Sequence, residues 1–228
     1  MRARQELRDK MKGEAHFMIQ SKFKDVVTSE EELRELIGFP GELTVRKQLA
    51  YLDDHCQNFI ARSPFLLIGS VDTSGACDVS PRGDAPGFVL VLDQKTLVIP
   101  ERPGNRRLDT LRNILQTSAV GLLFMTPGTE ETLRVNGHAC LVRDTTLLER
   151  TTAQGKQPLI AIGVEVDECF LHCAKSLKRS KLWDTTSWPE RTACPSLSQA
   201  LFDQVRPANQ TVEELEAYIE ESYRKRLY

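Results

Sequence analysis

The stretch FVLVLDQKTLVIPE, residues 88–101, decides the fold class. Two apolar runs flank the polar tripeptide Asp93-Gln94-Lys95, and this pattern predicts a β-hairpin. A hairpin joins neighbouring antiparallel strands, whereas parallel strands need a long crossover connection. The stretch therefore predicts an antiparallel sheet.

The segments on either side of this hairpin repeat the pattern. FLLIGSVD (65–72) and ACDVSPRG (76–83) flank a turn, AVGLLFM (119–125) and ETLRVNGHACLV (131–142) flank another, and LIAIGVEV follows at 159–166. About six strands in roughly a hundred residues, with one helix between them, predict a closed or nearly closed barrel. The expected fold class is α+β, mainly antiparallel β.

Helices are predicted at both ends of the chain. The residues 44–63 predict one long helix, because Val45, Leu49, Leu52, Cys56 and Phe59 recur at helical spacing. The segment 169–183 is also predicted to be helical. Capping-box pairs predict helix starts at Ser29 with Glu32 and at Thr211 with Glu214. We expect one domain over 1–228, with a helical extension (1–62), a barrel core (63–183) and a C-terminal tail and helix (184–228).

Composition excludes several classes of protein. Of 228 residues, 40% are hydrophobic and 27% charged, and the net charge is −2, which does not fit a dedicated nucleic-acid binder. No apolar run is long enough to span a membrane, and the N-terminus lacks the apolar stretch of a secretory signal. The six cysteines lie mostly in apolar runs, so we expect reduced core thiols in a cytoplasmic protein.

Familiar catalytic motifs are missing from the sequence. It has no Gly-x-Gly-x-x-Gly after a strand, P-loop, His-Glu-x-x-His or Gly-x-Ser-x-Gly. The four histidines are scattered, at 16, 55, 138 and 172, which gives a Ser-His-Asp triad little support. Cys169, His172 and Cys173 lack a second pair at zinc spacing, so we expect no metal site.

Arginines instead suggest an anion site. In ERPGNRRLDTLRNI (101–114), Leu108, Leu111 and Leu115 share a helical face, and Asn105 is the expected N-cap. Arg106 and Arg107 would then lie in the first turn, where the helix dipole disfavours cations unless an anion is bound. Further candidates at element ends or on strands are Ser80, Arg82, Arg102, Arg134 and Asn136. The alternative is that these arginines are solvated or pair with Asp84, Glu101 and Asp109.

The run KSLKRSKLW, residues 175–183, has two interpretations. A basic helical face in water is the ordinary one. Alternatively, Trp183 covers the flat ring of a cofactor whose phosphate lies near the basic residues.

The order of DVSPRGD, IPERPGNRRLDTLRNI, VGLLFM, LRVNGHA and CAKSLKRSKLW resembles the FMN-binding split-barrel proteins related to pyridoxamine 5′-phosphate oxidase. The likeness runs from about Ser63 to Trp183 and is strongest to an uncharacterised bacterial branch. It implies a six-stranded split barrel that forms a homodimer, with FMN at the subunit interface. The C-terminal Arg-x-His motif of the vitamin B6 oxidases is missing, which argues against pyridoxamine phosphate as the substrate.

The resemblance also implies roles for particular residues. Matching positions for the flavin phosphate are Ser80, Arg82, Asn105, Arg106 and Arg107. Arg134 and Asn136 match a strand that approaches the ring from the partner subunit. The segment that closes over the site is matched by Lys175, Ser180 and Trp183.

Three functions remain open at this point. The first is an FMN-dependent oxidoreductase that takes electrons from a donor such as NAD(P)H, with no catalytic side chain assigned. The second is a flavin-binding protein or redox sensor without turnover. The third is a haem-binding split barrel in which His138 or His172 ligates iron.

Overall fold

Seven antiparallel strands form one sheet in a computed structural model that describes residues 22–228. Their order is β2-β1-β5-β6-β7-β4-β3. The bounds are β1 Phe65–Val71, β2 Cys77–Gly83, β3 Leu90–Val91, β4 Thr96–Pro100, β5 Ala119–Met125, β6 Thr132–Val142 and β7 Ala161–His172. The predicted α+β split-barrel class is confirmed. The strand count is seven and not six, because the two-residue β3 pairs with β4.

The core lies on one face of this sheet. Alternate residues of β1 and β5 point into it, among them Leu66, Ile68, Leu122 and Phe124, all at most 1% exposed. The period-2 geometry of a strand places the residues between them on the opposite, outer face. The two faces of the sheet therefore carry different functional candidates.

The inserted helix α4 (Asp109–Thr117) packs against β1 through a partly polar face. Its buried residues are Thr110, Leu111, Asn113 and Ile114, whereas Leu108 and Leu115 are 51% and 73% exposed. The expected Leu108–Leu111–Leu115 face is therefore wrong. The polar side chains are buried because they have partners. The Asn113 amide donates to Ser70 Oγ at 3.0 Å, and the Thr117 hydroxyl donates to the Val71 carbonyl at 2.6 Å.

The single long helix predicted over 44–63 is also wrong. The structure has α1 (Glu30–Ile37), α2 (Glu42–Arg46) and, after an extended segment, α3 (Asp54–Arg62). Asp53 starts α3 by accepting a hydrogen bond from the Cys56 backbone at 2.8 Å. Leu49 instead forms an antiparallel bridge with Cys169, so its backbone cannot continue a helix.

The end of β7 corrects another prediction. Cys169 and His172 belong to that strand, and the helix expected from residue 169 begins only at Lys175, as α6 (Lys175–Ser180). The remaining helices are α5 (Thr145–Arg150), α7 (Leu197–Val205) and α8 (Val212–Lys225). The capping box of Thr211 with Glu214 is confirmed.

The chain divides into two compact units, Met1–Gln48 and Leu49–Tyr228. The three-part division drawn from the sequence stays a prediction. His16 and the segment considered for a secretory signal lie outside the described residues. Between residues 22 and 228, no helix combines the length and apolar character that crossing a membrane requires.

The cysteines differ from expectation in their burial. Only Cys56 and Cys169 are buried. Four are exposed: Cys77, Cys140, Cys173 and Cys194. Cys77 and Cys140 lie in β2 and β6, where a strand turns alternate residues to the outer face, whereas Cys173 and Cys194 lie outside the strands.

Candidate functional site

The core-facing side of β2 carries a connected polar cluster. Ser80 pairs across the ladder with the buried Ile68, and side chains of paired residues share a face, so Asp78, Ser80 and Arg82 all face this side. The Asp78 carboxylate accepts hydrogen bonds from Ser80 Oγ at 2.9 Å and from Thr110 Oγ1 at 2.7 Å. The cluster thereby joins β2 to the first turn of α4.

Arg82 ends this cluster beside Glu101. The Arg82 Nε and Glu101 Oε2 atoms are 3.2 Å apart, and the two side chains are 15% and 21% exposed. Both atoms are buried and neither has a hydrogen-bond partner. The two side chains therefore form an ion pair whose geometry is not that of a hydrogen bond. Burial raises the pKa of Glu101, and the neighbouring Arg82 only partly offsets it. A second anion near Arg82 would therefore meet a cation that already faces the Glu101 carboxylate but whose Nε makes no hydrogen bond.

Arg102 anchors the segment between β4 and α4. Its Nε donates to Asp84 Oδ2 at 2.7 Å and its Nη2 donates to the Thr151 carbonyl at 2.8 Å. Tyr228 donates its hydroxyl to Asp84 Oδ1 at 2.7 Å, and its ring lies under the Arg102 guanidinium. Asp84 is only 3% exposed at its side chain. Arg102 is thus a structural ion-pair partner, as the alternative interpretation expected.

The loop that follows holds Asn105, Arg106 and Arg107. Asn105 is not the N-cap of α4, because that helix begins at Asp109, after Leu108, so neither arginine lies in its first turn. The side chain of Asn105 instead closes a local turn by accepting the Arg107 backbone N–H at 3.0 Å. Arg107 Nε pairs with Asp109 Oδ2 at 2.8 Å, although its side chain is 73% exposed.

The backbone of this loop is strained. Arg106 and Leu108 have φ values of 62° and 61°, in the left-handed region that non-glycine residues seldom adopt. Such strain persists where surrounding contacts impose it, and it concentrates at ligand clamps. The dipole argument for Arg106 and Arg107 no longer applies, but the loop geometry keeps them as anion-site candidates.

A second cluster lies on the outer face of the sheet. Glu168 Oε1 of β7 accepts from Arg134 Nη2 at 3.1 Å and from Asn136 Nδ2 at 2.7 Å. The Arg134 guanidinium lies over the Phe170 ring, 4.2 Å from its centroid, and its Nε is buried without a hydrogen bond. Arg134 and Asn136 are therefore held rigidly.

Two glycines lie beside this outer cluster. Gly69 of β1 is paired with Gly121 of β5, which is paired in turn with Asn136. A Cβ on Gly121 would approach Asn136 Oδ1 to 3.2 Å. The strip of the outer face at Gly69 and Gly121 carries no side chain of its own, and the Asn136 amide lies close to Gly121.

The two clusters face opposite sides of the sheet. Arg134 is in register with Leu123, Leu67 and Pro81, whereas Ser80 and Arg82 alternate with Pro81. Within one copy of the chain, the structure brings Ser80 and Arg82 together with Thr110 and Glu101, the residues that flank the loop before α4. It does not bring Arg134 and Asn136 to the same side.

The candidates Lys175, Ser180 and Trp183 belong to neither of these two clusters. Lys175 and Ser180 are exposed on α6, and Ser180 Oγ donates to the Leu177 carbonyl at 3.1 Å. The Trp183 indole donates to the Thr129 carbonyl, in the turn between β5 and β6, at 2.8 Å. The basic Lys178 pairs with Glu130, which raises the pKa of that lysine.

The structure also brings a serine, a histidine and an aspartate into line. His138 Nδ1 is 3.0 Å from Ser118 Oγ, and its Nε2 is 3.4 Å from Asp167 Oδ2. The side chains of His138 and Asp167 are 61% and 55% exposed, so water competes for every contact. We assign these exposed residues no catalytic role. Within residues 22–228, no group of three or more potential metal ligands is present.

Several residues of these clusters were not predicted from the sequence. Asp78 alternates with Ser80 and Arg82 on β2, a spacing that could have revealed it. Thr110 was hidden by the expected leucine face of α4. Glu168 was missed because the predicted strand stopped at Val166, six residues before β7 ends at His172.

A family profile described as pyridoxamine 5′-phosphate oxidase matches residues 52–173, which is more than half of the chain. The chain belongs to this family. The match contains both clusters and the loop before α4. Among curated proteins, none matches the chain.

Solved structures with a similar fold include three that differ in their described roles. A putative pyridoxamine 5′-phosphate oxidase from Lactobacillus delbrueckii is 22% identical, with a TM-score of 0.44, and the match covers 54% of this chain and 98% of that one. An FMN-binding protein from Syntrophomonas wolfei is 10% identical (TM-score 0.39; 63% and 96% covered). HutZ, a heme storage protein from Vibrio cholerae, is 18% identical (TM-score 0.38; 53% and 93% covered).

Proposed function

We propose that this protein binds FMN and acts as an oxidoreductase on a substrate other than pyridoxamine phosphate. The observation that carries the proposal is Arg82, whose buried Nε makes no hydrogen bond and faces the Glu101 carboxylate, at the start of the segment that carries the strained loop of Arg106 and Leu108. An unused charged donor at a buried position fits an anionic ligand group.

The phosphate would be held by β2 and the loop. Arg82 would offer its guanidinium, Ser80 a hydroxyl, and Asn105, Arg106 and Arg107 would contribute from the loop beyond Glu101. Planar guanidinium groups match phosphate oxygens well. The Asp78 and Arg102 contacts fix the two segments, so little ordering would be required on binding.

The isoalloxazine ring would lie on the strip of Gly69 and Gly121, with Arg134 and Asn136 at its edge. The glycines give space for a flat ring, and the Glu168 carboxylate fixes both polar side chains. Trp183 would cover the site from the C-terminal segment, with Lys175 and Ser180 on the adjoining helix.

The placement of the two clusters supports a homodimer. One flavin cannot reach the core-facing side of β2 and the outer face of β6 in the same copy without crossing the sheet. If the outer face of the sheet in one copy packed against β2 of a second copy, the two clusters would come together. Val79 is 67% exposed on β2, which leaves an apolar contact for such a partner.

Bound FMN would supply two-electron chemistry, with electrons from a donor such as NAD(P)H. The chain's own residues would bind the phosphate, orient the ring and exclude water from its face. No side chain in either cluster needs to act as a nucleophile.

The test is to purify the protein and identify any bound chromophore by absorption spectrum and mass, then to measure its mass in solution. We expect FMN, a dimer, and oxidation of NAD(P)H with an added acceptor. Bound FMN without turnover would support a flavin-binding sensor. A haem spectrum lost on substitution of His138 or His172, or a stable monomer that binds FMN, would contradict the proposal.

A further inference from the structure

Two buried thiols from distant parts of the chain meet in the core. Cys56 lies in α3 and Cys169 in β7, and their sulfur atoms are 3.7 Å apart. The residues are 4% and 0% exposed, and both thiols are free. The other four cysteines are exposed, so this pair is a distinct feature of the core.

The backbone holds the two thiols in place. Leu49 and Cys169 exchange two backbone hydrogen bonds, at 3.0 and 2.8 Å, and Cys169 Sγ donates to the Tyr51 carbonyl at 3.0 Å. Asp53 fixes the start of α3 by accepting the Cys56 backbone N–H. A disulfide bond would require the sulfurs to approach by about 1.7 Å, which is the difference between 3.7 Å and an S–S bond of about 2.0 Å.

The two thiols are not equivalent. The Cys56 thiol beside it lowers the pKa of Cys169, whereas contact with Cys169, burial and the nearby Asp53 raise the pKa of Cys56. Because the thiolate is the reacting form, the lowered pKa favours Cys169 as the thiol that reacts first with an oxidant. Cys56 is then within reach of the oxidised sulfur.

We propose that Cys56 and Cys169 form an oxidation-sensitive dithiol, which a small hydroperoxide converts to a disulfide. The Cys169 thiolate attacks the terminal peroxide oxygen, the O–O bond breaks, and the leaving oxygen takes up a proton as an alcohol or water. Cys56 then attacks the sulfenic sulfur of Cys169. The S–O bond breaks, and the hydroxide leaves as water with the proton of Cys56.

In the overall reaction, two thiols and one hydroperoxide give one disulfide, one water and either one alcohol or a second water. The sulfur pair is oxidised by two electrons and the peroxide is reduced by two. Access to the buried pair requires local opening of the segment around Leu49, which is held to β7 by a short bridge. The product would tie α3 to β7 across a long stretch of chain and would stabilise the fold.

The experiment uses the full chain with the four exposed cysteines replaced by serine, which leaves only this pair. After treatment with hydrogen peroxide, we expect a monomer-mass chain that has lost two hydrogen atoms and has no titratable thiol when denatured. We also expect a Cys56–Cys169 linked peptide and a midpoint of thermal unfolding raised by roughly 5–15 °C, both reversed by a dithiol reductant.

Cys56→Ser in the same background is the matched control, and it should gain sulfenic or sulfinic acid at Cys169 without a rise in the unfolding midpoint. Two thiols still titratable after treatment would overturn the proposal, and so would oxidation of Cys169 alone while Cys56 is present. Neither readout depends on a bound flavin, so the proposed function and this dithiol succeed or fail separately.

Discussion

Replacing Arg102 with alanine should destabilise the protein strongly. The substitution removes two hydrogen bonds, to Asp84 Oδ2 at 2.7 Å and to the Thr151 carbonyl at 2.8 Å. It leaves the Asp84 carboxylate 3% exposed, with only Tyr228 and the Ala85 N–H as donors. Hydrogen bonds to charged groups are worth about 1.5–3 kcal/mol, and an uncompensated buried charge costs more.

We therefore expect the free energy of unfolding to fall by about 2–4 kcal/mol, since Asp84 keeps part of its hydrogen bonding. For a chain of this size the midpoint of thermal unfolding should fall by roughly 5–15 °C. The assay is thermal unfolding followed by circular dichroism, with the apoprotein throughout. Arg107→Ala is the matched control. Its ion pair is 73% exposed on the arginine side, and its loss should cost at most about 1 kcal/mol.

Because the Asp84 carboxylate titrates, the stability that it contributes depends on pH. Burial alone would raise the pKa of Asp84, but hydrogen bonds from Tyr228, the Ala85 N–H and Arg102 outweigh it and lower that pKa. The stability it contributes is thus present above about pH 4 and is lost as the pH falls through the lower folded-state pKa. Arg102→Ala should flatten this acid loss. Equal midpoints for the Arg102 and Arg107 variants at neutral pH would refute the reasoning.

Three further predictions concern the proposed flavin site. Arg107→Ala should weaken FMN binding roughly 10- to 100-fold in fluorescence titrations, because a charge-assisted contact to the phosphate is lost, and riboflavin binding should stay unchanged. Glu101→Gln should leave Arg82 buried without an anion, so the apoprotein should melt lower and gain more stability from saturating FMN than wild type does. Trp183→Phe should remove most of the quenching of tryptophan fluorescence by FMN, whereas Trp188→Phe should not. A larger loss of quenching in the Trp188 variant would mean that Trp183 is not the residue that covers the flavin.

The sequence predicted the strands well because their signal is local. The runs of β1, β5 and β6 are bounded by turns, and each hairpin partner is near in sequence. The helix ends were predicted poorly where a long-range contact decides them. Leu49 continues the apolar spacing of a helix, yet its backbone bonds to Cys169, more than a hundred residues away.

The candidate site shows the same division. Their places at a strand end and on a strand with apolar neighbours identified Ser80, Arg82, Arg134 and Asn136 as candidates, but did not show that the first two and the last two face opposite sides of the sheet. That depends on strand register across β1 and β5, which pairing decides and composition does not. The prediction that Arg106 lies in the first turn of α4 was wrong for a different reason. The backbone of Arg106 is left-handed, and such a backbone at a non-glycine residue has no sequence signature.

The most direct test of the central claim compares FMN and riboflavin binding to the wild-type apoprotein by calorimetry. The two ligands share the ring and differ in the phosphate. If Arg82 and the Asn105–Arg107 loop hold that phosphate, FMN should bind at least about tenfold more tightly, with one flavin per chain. Equal affinity for the two ligands, or no binding of either, would contradict the account.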